Sequence, residues 1–185
     1  MTRRRLADAA LELFEEVGYA DTTAEAIARR AGATRATFYL HYASKADVVL
    51  ELMERVRGEV TEMFATAWAL EQPTRAEVRA WLEDVLAFWD RNRALIDANH
   101  QAMPVEEHVA QQWWRGFEEV AAASPLARQP AVAGERERVR VITALAGFEQ
   151  VCWFHVLRGA PIDRARLLDG LTEDWYALLN RLADR

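Results

Sequence analysis

The sequence predicts an all-α protein of about nine helices, with three short helices ahead of a larger helical body. Apolar residues recur at 3- and 4-residue spacing through most of the chain, and no alternating stretch of useful length indicates a β-strand. Glycine and proline fall between the periodic segments, where helices end. Residues 22–45 indicate two short helices separated by a tight turn, which is typical of a helix-turn-helix unit.

Composition indicates a protein with a proper core. Hydrophobic residues make up 51% of the 185-residue chain and charged residues 28%. No run of 18 apolar residues is present, and the basic start continues into an amphipathic, acid-containing segment unlike a signal peptide. The single cysteine, Cys152, excludes an internal disulfide framework. We therefore expect a cytoplasmic protein that does not enter membranes.

Charge is distributed unevenly along the chain. The net charge is −6, which alone argues against a nucleic-acid partner. Residues 1–47, however, carry equal numbers of basic and acidic side chains, and the whole excess of acid lies in residues 48–185. Phosphates would repel the acidic part, so residues 1–47 are the expected DNA-binding domain and 48–185 are expected to form a separate helical domain.

The first helix is predicted from about Thr2 to Val17, ended by Gly18. The arginines at 3–5 open it, either as a solvated helix start or as an arm that touches phosphate or the minor groove. Thr22 and Glu25 have capping-box spacing, which places the start of the second helix at Thr22 or Thr23.

The turn of the helix-turn-helix unit is predicted at Gly32, a residue that tolerates left-handed backbone. Thr34 is expected to cap the next helix, Arg35–Tyr42. Phe38 and Tyr42 have the spacing of core residues, which leaves the other side of the helix free to enter a major groove. There Arg35 can bridge guanine O6 and N7, and small side chains can contact thymine methyl groups.

This stretch closely resembles the DNA-binding segment of the TetR family of bacterial transcription regulators. The matching residues are Thr22-Thr23, Ile27-Ala28, Ala31-Gly32, Thr34, Thr37-Phe38-Tyr39, His41-Tyr42 and Lys45, with Leu6–Phe14 and Gly18-Tyr19 before them. The family usually has its acidic residue one position after Glu25. Glu25 either accepts from a cytosine N4 or points away from DNA.

The resemblance implies a DNA-binding surface on the second and third helices. In it, Tyr39, His41 and Lys45 meet phosphates, and Ala36 and Thr37 contact bases. The complete predicted set is Thr23, Ala24, Thr34, Arg35, Ala36, Thr37, Tyr39, His41 and Lys45.

Capping patterns place the helices of the body. Ser44 with Asp47 opens a fourth helix of about six turns, and Thr74 with Glu77 opens the fifth. Shorter periodic segments predict a sixth helix over about 94–102 and a seventh over about 105–122, before a long loop over 123–134. Asp163 is expected to cap the ninth helix.

The eighth helix, predicted from Glu135 to Arg158, has apolar residues all round its axis. A helix of this kind is buried on two sides, which points to a partner subunit. The family resemblance implies the same: a homodimer through the last two helices, reading a palindromic operator of double-stranded DNA.

All seven tryptophans lie in the predicted body. They belong either to an ordinary core or to an aromatic-lined pocket for a small lipophilic effector. The body loosely resembles the ethionamide-resistance type repressors of the family. The predicted ligand-binding residues are Phe64, Trp68, Trp81, Phe88, Trp89, Met103, Trp113, Phe117, Phe148, Glu149 and Cys152.

The sequence carries no enzyme motif: no P-loop, dinucleotide glycine run or nucleophile elbow is present, and we predict no catalytic residue, cofactor or metal. His100 and His108 do not have a standard metal-ligand spacing. The predicted function is a DNA-binding transcription regulator, with repression favoured over activation. The alternative is a helical small-molecule-binding or interaction module without DNA binding.

Overall fold

The computed structural model describes the backbone of residues 1–125 and 131–183, and the side chains of these residues except 131–133 and 182–183. The described residues form nine α-helices and no β-strand, which confirms the all-α prediction. The helices are α1 (Thr2–Asp21), α2 (Ala24–Arg30), α3 (Arg35–His41), α4 (Lys45–Trp68), α5 (Arg75–Arg91), α6 (Arg93–Ala102), α7 (Glu107–Ala123), α8 (Ala131–Leu157) and α9 (Arg164–Ala183). Among the described helices, none combines the length and apolar character that crossing a bilayer requires.

The chain divides into two compact units. Unit 1 comprises residues 1–58 and 92–113, and unit 2 comprises residues 59–91 and 114–185. Segment 92–113 joins the N-terminal helices because α6 packs against α1. The boundary predicted between residues 47 and 48 therefore lies inside unit 1, within helix α4.

Unit 1 is organised around small and aliphatic side chains from all of its helices. Leu6, Ile27, Phe38 and Val48 are fully buried in one cluster, with alanines of α1 and α2 between them. Alanine at these positions lets helix backbones approach closely, so three short helices can share a core. This packing holds α2 and α3 as a helix-turn-helix unit.

Side-chain caps set where the helices of unit 1 begin. Thr34 Oγ1 accepts from the backbone N–H of Thr37 at 3.1 Å, as predicted. Ser44 and Asp47 cap each other's backbone N–H groups at 2.9 and 3.3 Å, also as predicted. Gly32 has φ +63°, the left-handed conformation that the turn requires.

The junction of α1 and α2 differs from the prediction in two ways. The backbone departs from helical geometry at Gly18, with φ +82°, but helix resumes to Asp21. Thr23 caps α2 by accepting from Ala26 N at 3.1 Å. Because Thr23 holds the N-cap position, the predicted Thr22–Glu25 capping box does not form, and the buried Thr22 hydroxyl donates to the Gly18 carbonyl at 2.7 Å.

Unit 2 is built on α5, which packs against α8 and α9. Thr74 and Glu77 cap its start reciprocally, at 2.9 and 3.3 Å, as predicted. Asp163 Oδ1 accepts from the backbone N–H groups of residues 165 and 166, which confirms the predicted cap of α9. Helix α8 begins earlier than predicted, and the predicted loop over 123–134 falls partly on residues 126–130, outside the described residues.

Candidate nucleic-acid interface

Helix α3 is fixed in unit 1 by its buried side. Phe38 is fully buried, and the Tyr42 ring is buried beside it with centroids 5.7 Å apart. The Tyr42 hydroxyl donates to the Arg3 carbonyl at 3.2 Å and to Glu51 Oε2 at 2.8 Å. Contacts on one side of a two-turn helix therefore determine which residues its other side presents to solvent.

The exposed side of α3 carries most of the predicted DNA contacts. Arg35, Ala36 and Tyr39 are exposed, and Thr37 is half-buried at the N-terminal end. The Arg35 guanidinium lies 5.6 Å from the centroid of the Tyr39 ring, a cation–π contact that orients it without occupying its hydrogen-bond donors. Arg35 can thus donate both N–H groups to one base edge.

The remaining predicted contacts lie around the start of α2 and the ends of α3. Thr23 and Thr34 are exposed, but each hydroxyl oxygen already accepts a backbone N–H as a helix cap. Ala24 and His41 are half-buried. Positive charge next to the turn comes from Arg29, which is exposed, whereas Arg30 is paired with Glu16 at 2.6 Å.

All three N-terminal arginines have partners, but they differ in exposure. Arg3 pairs with Glu51 at 2.5 Å and donates to the His41 carbonyl at 3.0 Å. Arg5 donates to the Ala31 carbonyl at the end of α2. Arg4 is exposed over 83% of its side chain, with Asp8 at 3.7 Å. Because most of its side chain is exposed, Arg4 is accessible to a phosphate if the three arginines form an arm toward DNA.

Lys45 occupies a different environment from the one the resemblance implied. Its Nζ donates to the backbone carbonyls of Tyr19, Ala20 and Thr22 at 2.6, 3.1 and 2.9 Å, and it lies 4.2 Å from the Tyr19 ring centroid. An ammonium group has three donors, and all three are directed to these carbonyls. Burial lowers the pKa of Lys45. The geometry favours capping of α1 over a phosphate contact.

The same corner of unit 1 contains polar groups of the α6–α7 segment. Gln101 accepts from the backbone N–H of Ala20 at 3.2 Å, and Glu106 accepts from the Tyr19 hydroxyl at 3.4 Å. Burial, with the Glu106 carboxylate beside it, raises the pKa of Tyr19 above its ordinary value. His108 lies 3.6 Å from Asp47. The end of α1 is therefore tied to α4 and to α6–α7 by side chains the sequence patterns did not identify.

In unit 2, four of the predicted ligand-binding aromatics pack together. Phe64, Trp68, Trp81 and Phe148 surround Trp175, with ring centroids 4.9 to 6.3 Å from it. We call these five residues the aromatic cluster. Trp175, which the predicted set omits, is its centre and is 2% exposed.

Two polar groups at the aromatic cluster are buried without a hydrogen-bond partner among the described residues. One is the Trp68 indole N–H; the other is the hydroxyl of Thr172, one turn before Trp175 on α9. Trp81, by contrast, donates to the Met63 carbonyl at 2.9 Å. A buried donor left unpaired costs about 1–3 kcal/mol. A ligand that accepts hydrogen bonds from these two groups would remove this free-energy penalty.

The other predicted ligand-binding residues lie in several places. Phe88, Trp89 and Cys152 are buried in unit 2, and burial raises the pKa of the Cys152 thiol. Glu149 and Phe117 are half-buried in the same unit. Met103 packs against the core of unit 1, and Trp113 contacts His100 there. No three His, Cys, Asp or Glu side chains within the described ranges are grouped as metal ligands.

Comparison with known proteins relates the helix-turn-helix part of the chain to bacterial regulators. Residues 6–52 match bacterial regulatory proteins of the tetR family. The chain is 36% identical over 84 residues to the HTH-type transcriptional regulator SrpR of Pseudomonas putida, which covers 45% of this chain and 39% of SrpR. Identity to the uncharacterized HTH-type transcriptional regulator TtgW, also of Pseudomonas putida, is 36% over 84 residues, covering 45% of this chain and 63% of TtgW. The match therefore spans less than two thirds of the length of either relative.

Similarity of fold extends along the whole chain. The FadR repressor of Thermus thermophilus, a TetR-family protein solved in complex with lauroyl-CoA, superposes with a TM-score of 0.62. The superposition covers 96% of this chain and 93% of FadR at 21% sequence identity. At this identity the likeness concerns the fold.

Proposed function

Because this chain belongs to the tetR family of bacterial regulatory proteins, we propose that it binds operator DNA as a homodimer and represses transcription until a small apolar effector releases it. The observation that carries the proposal is the exposed side of α3. Arg35 and Tyr39 are exposed there, while Phe38 anchors the helix from the other side. A helix held in this way can enter a major groove with its base-reading side chains already oriented.

Operator binding tests the proposal directly. Duplexes selected by the wild-type protein from a randomised pool would be titrated with wild type, Arg35→Ala and Arg115→Ala. Arg35→Ala should lose about 1–3 kcal/mol of operator-binding free energy and relax specificity at one base position, because Arg35 is proposed to bridge a guanine. Arg115 is an exposed arginine of α7, outside the proposed DNA-binding and dimerisation surfaces, so its removal controls for net charge. If wild type selects no sequence and retards no DNA, the chain is a helical module without DNA binding.

Dimerisation is proposed through α8 and α9. The buried side of α8 includes Val141, Leu145 and Cys152, yet Val139 and Phe154 on the same helix are 52% and 48% exposed. Apolar groups on a second side of a helix gain from a partner surface. A two-fold axis relating two α3 helices would then require a palindromic operator with half-sites about 34 Å apart, or a multiple of this spacing.

The effector is proposed to bind at the aromatic cluster of unit 2. The apolar rings favour a lipophilic molecule, and the unpaired Trp68 and Thr172 groups favour one that carries a hydrogen-bond acceptor. A thermal-shift screen with straight-chain fatty acids and with lauroyl-CoA, the ligand named for FadR, would test this class. Trp68→Phe keeps an aromatic ring but removes the indole N–H donor and part of the ring area, so it is compared with Trp81→Phe, which makes the same change in size at a donor that is already paired.

Helix α4 is the proposed route by which the effector acts on DNA binding. It runs without interruption for 24 residues, from Lys45 in unit 1 to Trp68 in unit 2. Effector and operator should bind antagonistically with a coupling of about 1–3 kcal/mol, and each should weaken the other equally. Operator affinity measured with and without saturating effector gives the coupling. Equal affinities for every ligand found would leave unit 2 as a dimerisation device.

A further inference from the structure

Leu40 is the most solvent-exposed leucine among the described residues. Its side chain is 83% exposed, and it lies near the C-terminal end of α3 between Tyr39 and His41. A single exposed leucine is ordinary on a protein surface. What distinguishes Leu40 is its place on the helix that also carries Arg35.

The helical repeat puts Leu40 on the same face as Ala36. Residues four apart are neighbours on a helix surface, and both side chains are exposed. Arg35 and Tyr39 form the adjacent ridge, joined by their cation–π contact. Helix α3 therefore presents a polar ridge and an apolar ridge side by side. The buried Phe38 and Tyr42 rings hold both ridges in a fixed direction.

The apolar ridge matches one chemical feature of the major groove. The thymine C5-methyl is the apolar group that a standard base pair displays there. Along α3, Ala36 and Leu40 are separated by about 6 Å of helix rise, close to two base steps of about 3.4 Å. Burying Leu40 against a methyl group removes apolar surface from water on both partners.

We propose that Leu40 is a specificity-determining residue that reads a thymine methyl group in each half-site, one contact beyond the base reading by Ala36 and Thr37. The inference rests on the proposed DNA-binding function. It requires the preferred operator half-site to contain a thymine whose methyl group strengthens binding only when Leu40 is present.

Uracil substitution tests the contact, because uracil lacks only the methyl group of thymine. Duplexes selected by wild type from a randomised pool would be resynthesised with uracil at each thymine of one half-site in turn. Wild type, Leu40→Ala and Val17→Ala would be titrated against each duplex. Val17 is a 51% exposed apolar residue of α1 in the same unit, so its variant controls for the loss of exposed apolar surface.

At one thymine, uracil should weaken wild-type binding about three- to fivefold, the effect of losing one buried methyl group. Leu40→Ala should bind the thymine duplex more weakly by at least as much and be indifferent to uracil at that position. Val17→Ala should behave as wild type throughout. Circular dichroism of Leu40→Ala should match wild type, because an exposed side chain does not hold the fold.

Two results would overturn the assignment of Leu40. One is that Leu40→Ala binds the selected duplex as tightly as wild type; the other is that it keeps the full uracil sensitivity at every thymine. In both, wild-type binding still supports the proposed function. A wild-type protein that selects no DNA would overturn the proposed function and this inference together. A change in self-association without a change in DNA affinity would assign Leu40 to a protein contact instead.

Discussion

Unit 1 and unit 2 are stabilised by different kinds of core. In unit 1 the short helices are joined by small apolar side chains and by polar groups that donate to backbone carbonyls, such as Lys45 and Arg5. In unit 2 the centre is a set of large rings around Trp175, and the donors of Trp68 and Thr172 have no hydrogen-bond partner within the described ranges. The first arrangement uses the donors of its charged side chains within the protein, whereas the second contains the polar groups on which the effector proposal rests.

The surfaces of the two units differ in a related way. Unit 1 places its most exposed leucine on α3, in a helix that also carries a cationic side chain. Unit 2 exposes Val139 and Phe154 on α8, in a helix with apolar residues on its other sides too. The charged and apolar side chains of α3 match the polar edges and thymine methyl groups of the proposed DNA partner. The apolar side chains of α8 match the apolar helix of the proposed partner subunit.

The largest expected effect concerns α8. Gly147 is exposed on this helix, and a Cβ built there would meet no atom within 4 Å. Gly147→Glu should therefore leave the protomer folded but place a charge in the proposed dimer interface, weakening the dimer at least a hundredfold. Sedimentation measures this, with Gly58→Glu as control because its Cβ also meets open space on α4. If Gly147→Glu dimerises as tightly as wild type, α8 is not part of the dimer interface.

The next effect tests the role of Lys45 in unit 1. Lys45→Met keeps most of the aliphatic chain and removes three donors to backbone carbonyls. It should lower the free energy of unfolding by about 2–3 kcal/mol, because hydrogen bonds from a charged group are strong and their acceptors would lose partners. Urea unfolding measures this, with Arg93→Met as control, because Arg93 is an exposed arginine of α6 in the same unit and lies outside the predicted DNA-binding set. If Lys45→Met has unchanged stability and a flatter salt dependence of operator binding, Lys45 contacts phosphate as the family resemblance implies.

A smaller effect is expected from the unpaired indole of unit 2. Trp68→Phe loses ring contacts but also removes a buried donor that has no partner among the described residues, so the free energy of unfolding should fall by less than about 1 kcal/mol. Effector affinity should fall about fivefold if the effector accepts from this group. Trp81→Phe is the matched control, because it removes a donor bonded to the Met63 carbonyl and should cost more stability. Identical effector affinity in Trp68→Phe and wild type would exclude this hydrogen bond.

The smallest effect concerns acid stability of unit 1 through Glu51. Burial opposes its charge, but hydrogen bonds from Arg3, Tyr42 and Arg55 outweigh this and lower the pKa of Glu51. A folded-state pKa below the unfolded value adds stability above the unfolded pKa, and this is lost as pH falls through the folded one. Glu51→Gln should cost about 1 kcal/mol at pH 7 and less at pH 3. Urea unfolding at both pH values checks this; a pH-independent difference would contradict it.

The local features of the fold were predictable because their causes are local. Caps at Thr34, Ser44, Thr74 and Asp163 involve residues two or three apart, so spacing alone identifies them. The capping box at Thr22 was wrong because α2 begins one residue later, with Thr23 as the N-cap that accepts from Ala26 N. Two adjacent threonines offer the same cap chemistry, and sequence spacing does not decide which of them takes the N-cap position.

By itself, the sequence determined the all-α class, the helix-turn-helix unit and the similarity of residues 6–52 to tetR family regulators, since these depend on periodicity, caps and matched residues in one stretch of chain. Only the tertiary structure decided which cationic side chains already have partners within the protein and which aromatic residue is central. Lys45 is directed inward by carbonyls 23 to 26 residues away, and Trp175 is surrounded by rings from α4, α5 and α8. Such contacts join residues distant in sequence, and a hydrogen bond or a ring contact depends on distance in space.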